Sequence, residues 1–368
     1  MERFDVAVIG SGPAGSSAAC FAAMGGARTL LVDKRPEIGF PVQCGEFLPT
    51  LEELLAIFPR HEGFSDVFQV PDETILSRTN VIDCVAPTGK HYPFPMNGYA
   101  VSRRSFDKVL AYRAERAGAE LRHPATVVGV KDHVVSFASG EQVEAKVIIG
   151  ADGPLSVVAR SKGVALPREM YKMLTTSAEG HFDPVVELYF GSLAPGGYAW
   201  VIPKGEGANV GLGIATMPQG DNLSKLFAKF VASRGLTVKA PFTRWWVPLG
   251  EPPSSAVYGN ALLAGDAANM VMATNGGGIP TAMISGMYAG KTAAGHVRSG
   301  TPLQAYDTLW KNNLLSPLKR GYSLKSLGDK VVYHDLLLSF GMRFIGKGGM
   351  GNFIRMQWPR RLGGRTAA

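Results

Sequence analysis

The sequence predicts a mixed α/β protein with a largely parallel sheet, inserted β-rich segments and a helical C-terminal region. An apolar run at residues 4–9 passes through a glycine-rich turn into a helix and a second apolar run at 29–32. Two later apolar runs, at 146–149 and 261–264, each end beside a glycine and an aspartate. Shorter strand-like segments separated by Pro- and Gly-rich turns lie between them, which is typical of an added antiparallel sheet.

The first element is a strand, glycine turn and helix, followed by a second strand that ends at Asp33. Gly10 permits the tight turn, Gly12 lets backbone N–H groups approach a pyrophosphate, and Gly15 lets the helix pack on the strand. The free N–H groups at the helix start favour phosphate, and Asp33 can accept hydrogen bonds from a ribose. This complete context predicts a Rossmann-like dinucleotide site, although it does not separate FAD from NAD.

Three later segments favour FAD. The strand ends at 150–153 and 265–268 carry an acid beside small residues, where a doubly wound sheet places its ligands. Asp266 can hold ribityl or phosphate-side hydroxyls. The turn at 276–279 opens a helix and offers backbone donors to the flavin N1–C2=O edge, which is negative in reduced flavin. A helix beginning near 101–107 supplies a cation, Arg103 or Arg104. Each segment alone could be an ordinary turn; their order favours a flavin site.

Strand-like pieces at 80–85, 185–190, 198–202 and 209–215 predict an antiparallel sheet that roofs the flavin. The aromatic residues of this insert exceed what a short sheet needs: Tyr189, Phe190, Tyr198, Trp200, Phe242, Trp245 and Trp246. An ordinary core is one interpretation. Their concentration favours an apolar cavity for a chain-like ligand. We expect a discontinuous FAD-binding domain formed by residues 1–75, 99–165 and 255–300. We expect an antiparallel-sheet substrate domain at 76–98 and 166–254, and a basic helical C-terminal region at 301–368.

The net charge of +8 resides in the C-terminal region. From Lys319 to the end there are ten basic and two acidic residues, so the first 318 residues are neutral overall. Large apolar side chains are interleaved with these charges, as expected for contact with an anionic lipid surface or an acidic lipid substrate. A solvated helical face is the alternative. No recognised nucleic-acid module is present, so we expect no nucleic-acid partner.

Three cysteines, Cys20, Cys44 and Cys84, form no C-x-x-C pair. An odd count without such a pair predicts an intracellular protein with no disulfide framework and no zinc or other metal site. No apolar run reaches the roughly 18 residues of a spanning helix. The first strand begins almost at once, so we expect no signal peptide. The predicted location is cytoplasmic, with peripheral association at the inner face of the membrane.

The order GSGPAG, Asp33, R-x-x-F-D at 103–107, GADG and GDAA…GGGI resembles the FAD-dependent fold of p-hydroxybenzoate hydroxylase. The likeness runs from residue 1 to about 300. Within that superfamily, PVQCGE at 41–46 and PGGYAWVIP at 195–203, followed by G-L-G at 211–213, resemble the geranylgeranyl reductases, including the archaeal digeranylgeranylglycerophospholipid reductases. Ile202 stands where that family usually has Phe, which keeps the apolar character and changes the width of the tunnel.

The resemblance implies an enzyme that saturates C=C bonds of geranylgeranyl chains in archaeal-type ether lipids or in geranylgeranyl diphosphate. Beside the glycines of the first turn, it implies FAD contacts from Ala14, Asp33, Cys44, Gly45, Phe47, Arg103, Val127, Asp266, Gly278 and Ile279. It implies substrate contacts from Tyr198, Trp200, Pro203, Gly211 and Gly213. An isolated alkene needs a proton as well as a hydride, and the candidate sources are Cys44, Tyr198, Glu46 and His91, of which His91 fits a structural role better.

Two other functions fit the same motifs. One is a flavin-dependent monooxygenase resembling the aromatic hydroxylases, because a fold does not fix a function. The other is a non-enzymatic flavoprotein that binds isoprenoid lipids. The segment Gly211-Leu212-Gly213 lacks the third, helix-starting glycine, so the sequence carries one dinucleotide fingerprint. The electron donor is therefore expected to be ferredoxin, a deazaflavin or transiently bound NAD(P)H.

Overall fold

The computed structural model describes residues 1–165, 167–220 and 222–363. Its strands are β1 (Glu2–Ile9), β2 (Thr29–Val32), β3 (Phe47–Pro49), β4 (Ile75–Val85), β5 (His91–Val101), β6 (Glu120–Arg122), β7 (Val127–Lys131), β8 (Val134–Phe137), β9 (Gln142–Gly150), β10 (Met170–Glu179), β11 (Val185–Phe190), β12 (Tyr198–Lys204), β13 (Gly207–Ile214), β14 (Thr237–Pro248), β15 (Val257–Tyr258) and β16 (Ala261–Leu263). Its α-helices are α1 (Pro13–Met24), α2 (Leu51–Ile57), α3 (Phe64–Val67), α4 (Arg103–Arg116), α5 (Val157–Ser161), α6 (Leu223–Arg234), α7 (Ile279–Ser299), α8 (Ala305–Trp310), α9 (Ser316–Gly328) and α10 (Asp335–Ile354). The strands form two sheets.

The first sheet has the order β15-β16-β9-β1-β2-β6, and β8 joins β7 to β9 beside this path. Its central strands β2, β1, β9 and β16 run parallel. Ile9 pairs with both Val32 and Gly150, and Leu263 also pairs with Gly150. The residues from Val6 to Ile9 are buried, as expected for a parallel strand covered on both faces. The predicted Rossmann-like sheet is confirmed.

The second sheet has the order β14-β10-β13-β12-β11-β4-β5-β3. It was predicted as antiparallel, and one pair departs from that prediction, because β11 runs parallel to β4. These two strands are far apart in the chain, which leaves ample length for the crossover that a parallel pair requires. β3 lies in the segment 1–75 that was assigned to the FAD-binding domain, yet it pairs with β5 of this sheet.

Helices α1 and α7 pack unusually closely beside the first sheet. A Cβ atom at Gly286 would lie 2.1 Å from the carbonyl oxygen of Ala14, and one at Gly290 would lie 2.2 Å from that of Ala18. Only glycine at these two positions of α7 lets the helix backbones approach to this extent. This contact holds the start of α1, and with it the glycine-rich turn, against the start of α7.

The C-terminal region is helical, as predicted, and contributes both buried and exposed apolar residues. Within α10, Leu338 and Met342 are buried, whereas Leu336 is 81% exposed and Phe340 is 70% exposed. The helix is interrupted at Gly346, whose φ of 66° and ψ of −176° form a conformation almost confined to glycine. Arg365, one of the basic residues counted in the sequence, lies outside the described residues. Within the described part of the chain, no helix combines the length and the apolarity needed to cross a bilayer.

Candidate functional site

The site begins where four parallel strands end at one edge of the first sheet. The register places Gly10, Asp33 and Ala151 side by side, immediately after β1, β2 and β9. Gly10 has φ of +100°, and a Cβ atom there would lie 2.4 Å from the carbonyl oxygen of Ala151. The turn therefore requires glycine for its conformation and for the close approach of the neighbouring strand end. This is the edge at which doubly wound sheets bind ligands.

Two helices begin at this edge, and their first turns leave room for a phosphate and a flavin ring. Gly12 precedes α1, and a Cβ atom built on it would meet no heavy atom within 4 Å. Gly278 precedes α7, and a Cβ atom built on it would lie 3.0 Å from Oδ1 of Asp266. Backbone N–H groups at both helix starts lack intrahelical partners, which suits pyrophosphate at one and an electron-rich ring edge at the other. The residues present therefore fit FAD.

Asp33 is 5% exposed and is held by hydrogen bonds from two residues. Ser11 donates its backbone N–H and its hydroxyl to Oδ2 at 2.9 and 2.7 Å. Arg35 donates from Nε to Oδ1 at 2.9 Å and from Nη2 to Oδ2 at 2.8 Å. Burial acts to raise the pKa of Asp33, but the hydrogen bonds and charge of Arg35 lower it to about 2. Asp33 is thus ionised at neutral pH and remains the proposed ribose acceptor.

Two other carboxylates of this edge behave differently. Burial raises the pKa of Asp266 to about 6, against the opposing charge of Arg103. Burial also raises the pKa of Asp152, although Ser156 Oγ donates to it at 2.5 Å and the N–H of Val157 at 2.6 Å. Both carboxylates line the cavity, Asp152 bonded to the start of α5 and Asp266 beside the start of α7.

The second sheet presents one face to this cavity. Along β11 and β12 the cavity-lining residues alternate: Val186, Leu188, Phe190, Tyr198, Trp200 and Ile202. Alternate side chains point to opposite faces of a strand, so the intervening residues face away. Among these, Tyr189 packs with Phe230 of α6 at a ring distance of 5.5 Å. The sheet therefore separates the cavity from a second apolar core beneath α6.

The predicted aromatic cavity is present with fewer members than expected. Phe190, Tyr198, Trp200 and Trp245 line it. Tyr189 belongs to the α6 core, Phe242 is 46% exposed, and Trp246 contacts Lys172 at 5.3 Å. For Tyr189 the ordinary-core interpretation holds, and composition alone does not show which face of a strand a side chain occupies.

The segment 39–46 runs along the cavity between the two sheets. Cys44 lines the cavity, and its sulfur accepts a hydrogen bond from the N–H of Glu46 at 3.1 Å. Burial raises the pKa of the Cys44 thiol, and the charge of Arg103 acts in the opposite direction. Arg103 is itself fixed by Asp107, whose two oxygens accept from Nε and Nη2 at 2.8 Å each. Of the two predicted cations, Arg103 lines the cavity, and Arg104 instead pairs with Glu37.

Glu46 is 2% exposed and lies in the left-handed region, with φ of 65°. Its carboxylate accepts from the N–H of Arg103 at 2.9 Å, from Asn209 Nδ2 at 2.9 Å and from Lys204 Nζ. Glu46 therefore joins the 39–46 segment to strands β12 and β13 of the second sheet. Lys204 and the side-chain role of Asn209 were missed at the sequence level, because nothing in a strand pattern identifies a partner that is 163 residues away.

Tyr198 and Trp200 form the part of the wall beside this segment, with ring centroids 6.1 Å apart, and a Cβ atom on Gly45 would lie 3.5 Å from Trp200 Nε1. The hydroxyl of Tyr198 donates to the carbonyl oxygen of Asn275, and burial raises the pKa of Tyr198. A Cβ atom on Gly211 would lie 2.3 Å from Cζ2 of Trp200. Gly211 therefore makes room for the indole, whereas Gly213 lines the cavity itself.

The C-terminal helices close the far side of the cavity, which has a volume of about 960 Å³. Leu338, Met342 and Ile345 of α10 line it together with residues of α9. Lys325 of α9 also contributes to the wall; its side chain is 7% exposed and pairs with Glu169 and with Asp329 at 2.8 Å. The resemblance ended near residue 300, so this contribution was not foreseen.

The structure brings most of the predicted site residues to one cavity. Its lining includes Gly10, Gly12, Ala14, Asp33, Cys44, Gly45, Phe47, Arg103, Val127, Tyr198, Trp200, Gly213, Asp266, Gly278 and Ile279. Gly15, Pro203 and Gly211 are outside the lining. Gly15 packs α1 on the turn, since a Cβ atom there would lie 1.7 Å from the carbonyl oxygen of Gly10. His91 is also outside it, and its Nδ1 lies 2.6 Å from Asp83 Oδ2.

Comparison with known proteins shows which proteins this chain resembles. The family described as geranylgeranyl reductase catalytic domain matches residues 168–241, and the one described as FAD dependent oxidoreductase matches 5–41. The digeranylgeranylglycerophospholipid reductase 1 of Methanothermobacter thermautotrophicus is 36% identical over 320 residues, covering 82% of this chain and 79% of that protein. The digeranylgeranylglycerophospholipid reductase of Methanocaldococcus jannaschii is 32% identical over 357 residues, covering 89% and 88%.

Among solved structures, a geranylgeranyl bacteriochlorophyll reductase-like protein from Thermoplasma acidophilum has a TM-score of 0.81 at 29% identity. The match covers 92% of this chain and 90% of that one. The predicted fold class and the predicted FAD cofactor are thereby confirmed. The cavity, the flavin-binding edge and these likenesses together show that the chain belongs to the geranylgeranyl reductase family of FAD-dependent oxidoreductases.

Proposed function

We propose that this protein saturates C=C bonds of geranylgeranyl chains, either in isoprenoid ether lipids or in geranylgeranyl diphosphate. The observation that carries the proposal is the apolar cavity that continues from the flavin-binding edge, past Tyr198 and Trp200, to the C-terminal helices. Such a cavity suits a long hydrocarbon chain better than a small polar substrate. The names of the relatives from Methanothermobacter and Methanocaldococcus support the same substrate class.

In this proposal the segments 1–75, 99–165 and 255–300 hold FAD, and 76–98 and 166–254 form the substrate wall. The predicted cofactor contacts are kept, with Gly12 and Asp33 at the adenosine side and Gly278 near the ring. Bound and reduced FAD supplies a hydride. An isolated alkene offers no oxygen for a hydrogen-bond donor to stabilise. The protein therefore acts by orienting the chain and by excluding water from the cavity.

Cys44 and Tyr198 are the proposed proton-bearing groups. Both line the cavity, and burial raises the pKa of each, so both are protonated at neutral pH. The hydroxyl proton of Tyr198 is engaged by the carbonyl oxygen of Asn275, whereas the Cys44 sulfur acts as an acceptor from Glu46 and keeps its own proton free. Cys44 is therefore the preferred donor. Glu46 is enclosed by its hydrogen-bond donors and serves as an anchor.

The electron donor is proposed to be external. Gly211-Leu212-Gly213 lies inside β13, in the middle of the second sheet, and the next helix, α6, begins only at Leu223. This segment therefore offers no phosphate-binding turn for a nicotinamide cofactor. Reduced ferredoxin, reduced deazaflavin and NAD(P)H are compared by the rate at which each reduces the bound flavin without oxygen.

Membrane association is proposed to occur through the first half of α10. Leu336, Leu337 and Phe340 are 81%, 52% and 70% exposed, and Arg343 and Lys347 follow in the same helix. Apolar side chains next to basic ones bind an anionic bilayer surface. Leu338, Met342 and Ile345 of α10 line the cavity, so the same helix connects the proposed membrane face with the proposed lipid site.

The test of function is a reaction without oxygen between dithionite-reduced protein and geranylgeranyl lipids. Mass spectrometry should show a gain of two hydrogens for each reduced bond. No mass gain with geranylgeranyl diphosphate or with geranylgeranylated ether lipids would contradict the proposal. NADPH oxidation coupled to oxygen uptake and hydroxylated product would instead indicate a monooxygenase. Tight lipid binding without any product would indicate a binding flavoprotein.

A further inference from the structure

One buried amide, that of Asn209 on β13, bonds both sides of the cavity wall. Its side chain is 3% exposed. Nδ2 donates to the carbonyl oxygen of Cys44 at 3.0 Å and to Glu46 Oε2 at 2.9 Å. Oδ1 accepts from Trp200 Nε1 at 2.8 Å and from the Thr175 hydroxyl at 2.9 Å. Both donors and both lone pairs of the amide are therefore used.

These partners belong to two different segments that meet in the proposed site. Cys44 and Glu46 lie in the 39–46 segment at the flavin-binding edge, whereas Trp200 is part of the proposed substrate wall. Asn209 does not line the cavity itself. A fixed amide between them sets the separation of the Cys44 carbonyl from the indole ring.

We propose that Asn209 is a positioning residue, which holds the Cys44 segment and Trp200 at the spacing that the prenyl double bond requires. The inference rests on the proposed function. The proposed role also gives a structural reason why the G-L-G segment follows Trp200 closely in the sequence, on the next strand. The β12–β13 turn pairs Ile202 with Asn209 and Trp200 with Gly211, so the amide reaches Nε1 of an indole that lies over a glycine.

No other side chain reproduces all four bonds. Asn209→Asp keeps the shape but removes both N–H donors and places a carboxylate against Glu46. Asn209→Ala removes the partner of the indole N–H of Trp200 and of the carbonyl oxygen of Cys44, whereas Glu46 Oε2 keeps Lys204. Buried polar groups that lose a partner are costly. Asn209→Gln keeps the amide on a longer arm, so it should recover part of the function.

The matched control is Asn313→Ala. Asn313 is also buried, at 5% exposure, and its amide bonds the N–H of Glu62 at 3.1 Å and the carbonyl oxygen of Leu309 at 2.9 Å. It lies outside the cavity lining. This variant therefore measures the effect of losing a buried amide that does not bond the Cys44 segment.

Two properties of the FAD-loaded proteins are measured. One is the alkylation rate of Cys44 by N-ethylmaleimide, located by peptide mass spectrometry, which needs no substrate. We expect about a tenfold rise in Asn209→Ala and Asn209→Asp, because a released segment exposes the thiol more often. The other is turnover of geranylgeranyl lipid, in which kcat should fall by about 10- to 100-fold with little change in KM. Asn209→Gln should lie between these variants and the parent protein.

The inference is overturned if Asn209→Ala and Asn313→Ala alkylate at the same rate. It is also overturned if kcat falls without faster alkylation, because the segment would then be unmoved. A parent protein that reduces no prenyl lipid while the alkylation rates still differ would refute the proposed function, and would leave the anchoring of the Cys44 segment established. If Asn209→Ala and Asn209→Asp do not retain FAD, Asn209→Gln takes their place. Its alkylation rate is then compared with that of Asn313→Ala in the same way.

Discussion

At the scale of residues, burial acts on the pKa values of Asp33, Asp266, Cys44 and Tyr198 in the cavity, and the partners of each group decide the outcome. Asp33 is buried but bonded to Arg35, so its pKa falls to about 2. Asp266 has only the more distant charge of Arg103 to oppose burial, so its pKa rises to about 6. Cys44 and Tyr198 are neutral when protonated, and burial favours that state for both.

The first prediction concerns Cys44. Replacement by Ala or Ser should preserve FAD binding, because the residue offers one side-chain contact among many. Turnover should fall by about 10²- to 10⁴-fold, the range typical of general acid catalysis. The measurements are the flavin content and the rate at which prenyl lipid reoxidises reduced flavin. Cys20→Ala, outside the cavity lining, is the control. Unchanged turnover in both Cys44 variants would remove the thiol from the mechanism.

The second prediction is a pair of opposite pH effects in the FAD-free protein. The raised pKa of Asp266 means that its ionised form destabilises the fold above pH 6, so Asp266→Asn should stabilise more at high pH. The gain in unfolding free energy should be about 2 kcal/mol larger at pH 8 than at pH 4.5. The lowered pKa of Asp33 gives stability above pH 4 that is lost as pH falls through 2. Asp33→Asn should therefore destabilise at pH 8.

Urea unfolding at pH 4.5 and pH 8 measures the change for Asp266→Asn, and the measurement at pH 8 tests Asp33→Asn, because the loss for Asp33 lies below pH 4. A gain for Asp266→Asn that is equal at pH 4.5 and pH 8 would contradict the assigned shift.

The residues of the first turn could be predicted, because each glycine there follows from a local backbone requirement. Gly10 has a positive φ and Gly15 has no room for a side chain, and both facts depend on the adjacent strand and helix. Asn209 and Lys204 could not, because their role depends on a long-range contact with Glu46. Trp200 was predicted at the site, but the need for Gly211 beneath its ring became visible only in three dimensions.

At the scale of elements, the contact between α1 and α7 controls the position of the flavin-binding turn. The third prediction is that Gly290→Ala destabilises the protein by about 1–3 kcal/mol, because its Cβ atom would meet the Ala18 carbonyl and separate the helices. FAD affinity should fall as well, since α1 follows the phosphate turn. Thermal unfolding and FAD titration measure the two effects.

The control for this prediction is Gly348→Ala in α10, where an added Cβ atom meets no heavy atom within 4 Å. It should stabilise by about 0.4–1 kcal/mol, because alanine restricts the unfolded chain. Equal destabilisation by both variants would show that helix contact is not the cause.

The elements of the first sheet could be predicted from their apolar runs, since a buried parallel strand leaves a continuous pattern. Four strands of the second sheet, β4, β11, β12 and β13, match predicted strand-like segments, whereas its other strands and its full pairing were not predicted. The parallel pair of β4 and β11 joins a segment that precedes residues 99–165 of the predicted FAD-binding domain with one that follows them in the chain. Local sequence carries turn signals for neighbouring hairpins but no signal for such a distant partner.

At the scale of the whole molecule, charge and apolar surface are concentrated at the C-terminal region. The fourth prediction is that the protein co-sediments with anionic phosphatidylglycerol vesicles and is released at high salt, because screening weakens the contact. Phe340→Glu should weaken vesicle binding by about tenfold or more. It removes apolar area that would be buried in the bilayer, and it adds a negative charge that the anionic lipids repel.

Val128→Glu is the control for this measurement. Val128 is 58% exposed but lies on β7, beside the first sheet. Equal loss of binding in both variants, or no binding at any salt concentration, would contradict the proposed membrane face. The basic composition of this region could be read from the sequence, whereas its place as a wall of the cavity depends on tertiary packing.

The pairing of β3 with β5 has a consequence for how the chain melts. β3 follows directly after the Cys44 segment and is hydrogen-bonded into the second sheet, so the flavin-binding part cannot separate from the substrate wall without breaking this sheet. We therefore expect one cooperative calorimetric transition, rather than two, in spite of the two sheets. FAD should shift that entire transition upward, and with it the melting of strands that do not touch the cofactor. FAD binding would then stabilise the proposed lipid-binding part of the protein together with the flavin-binding part.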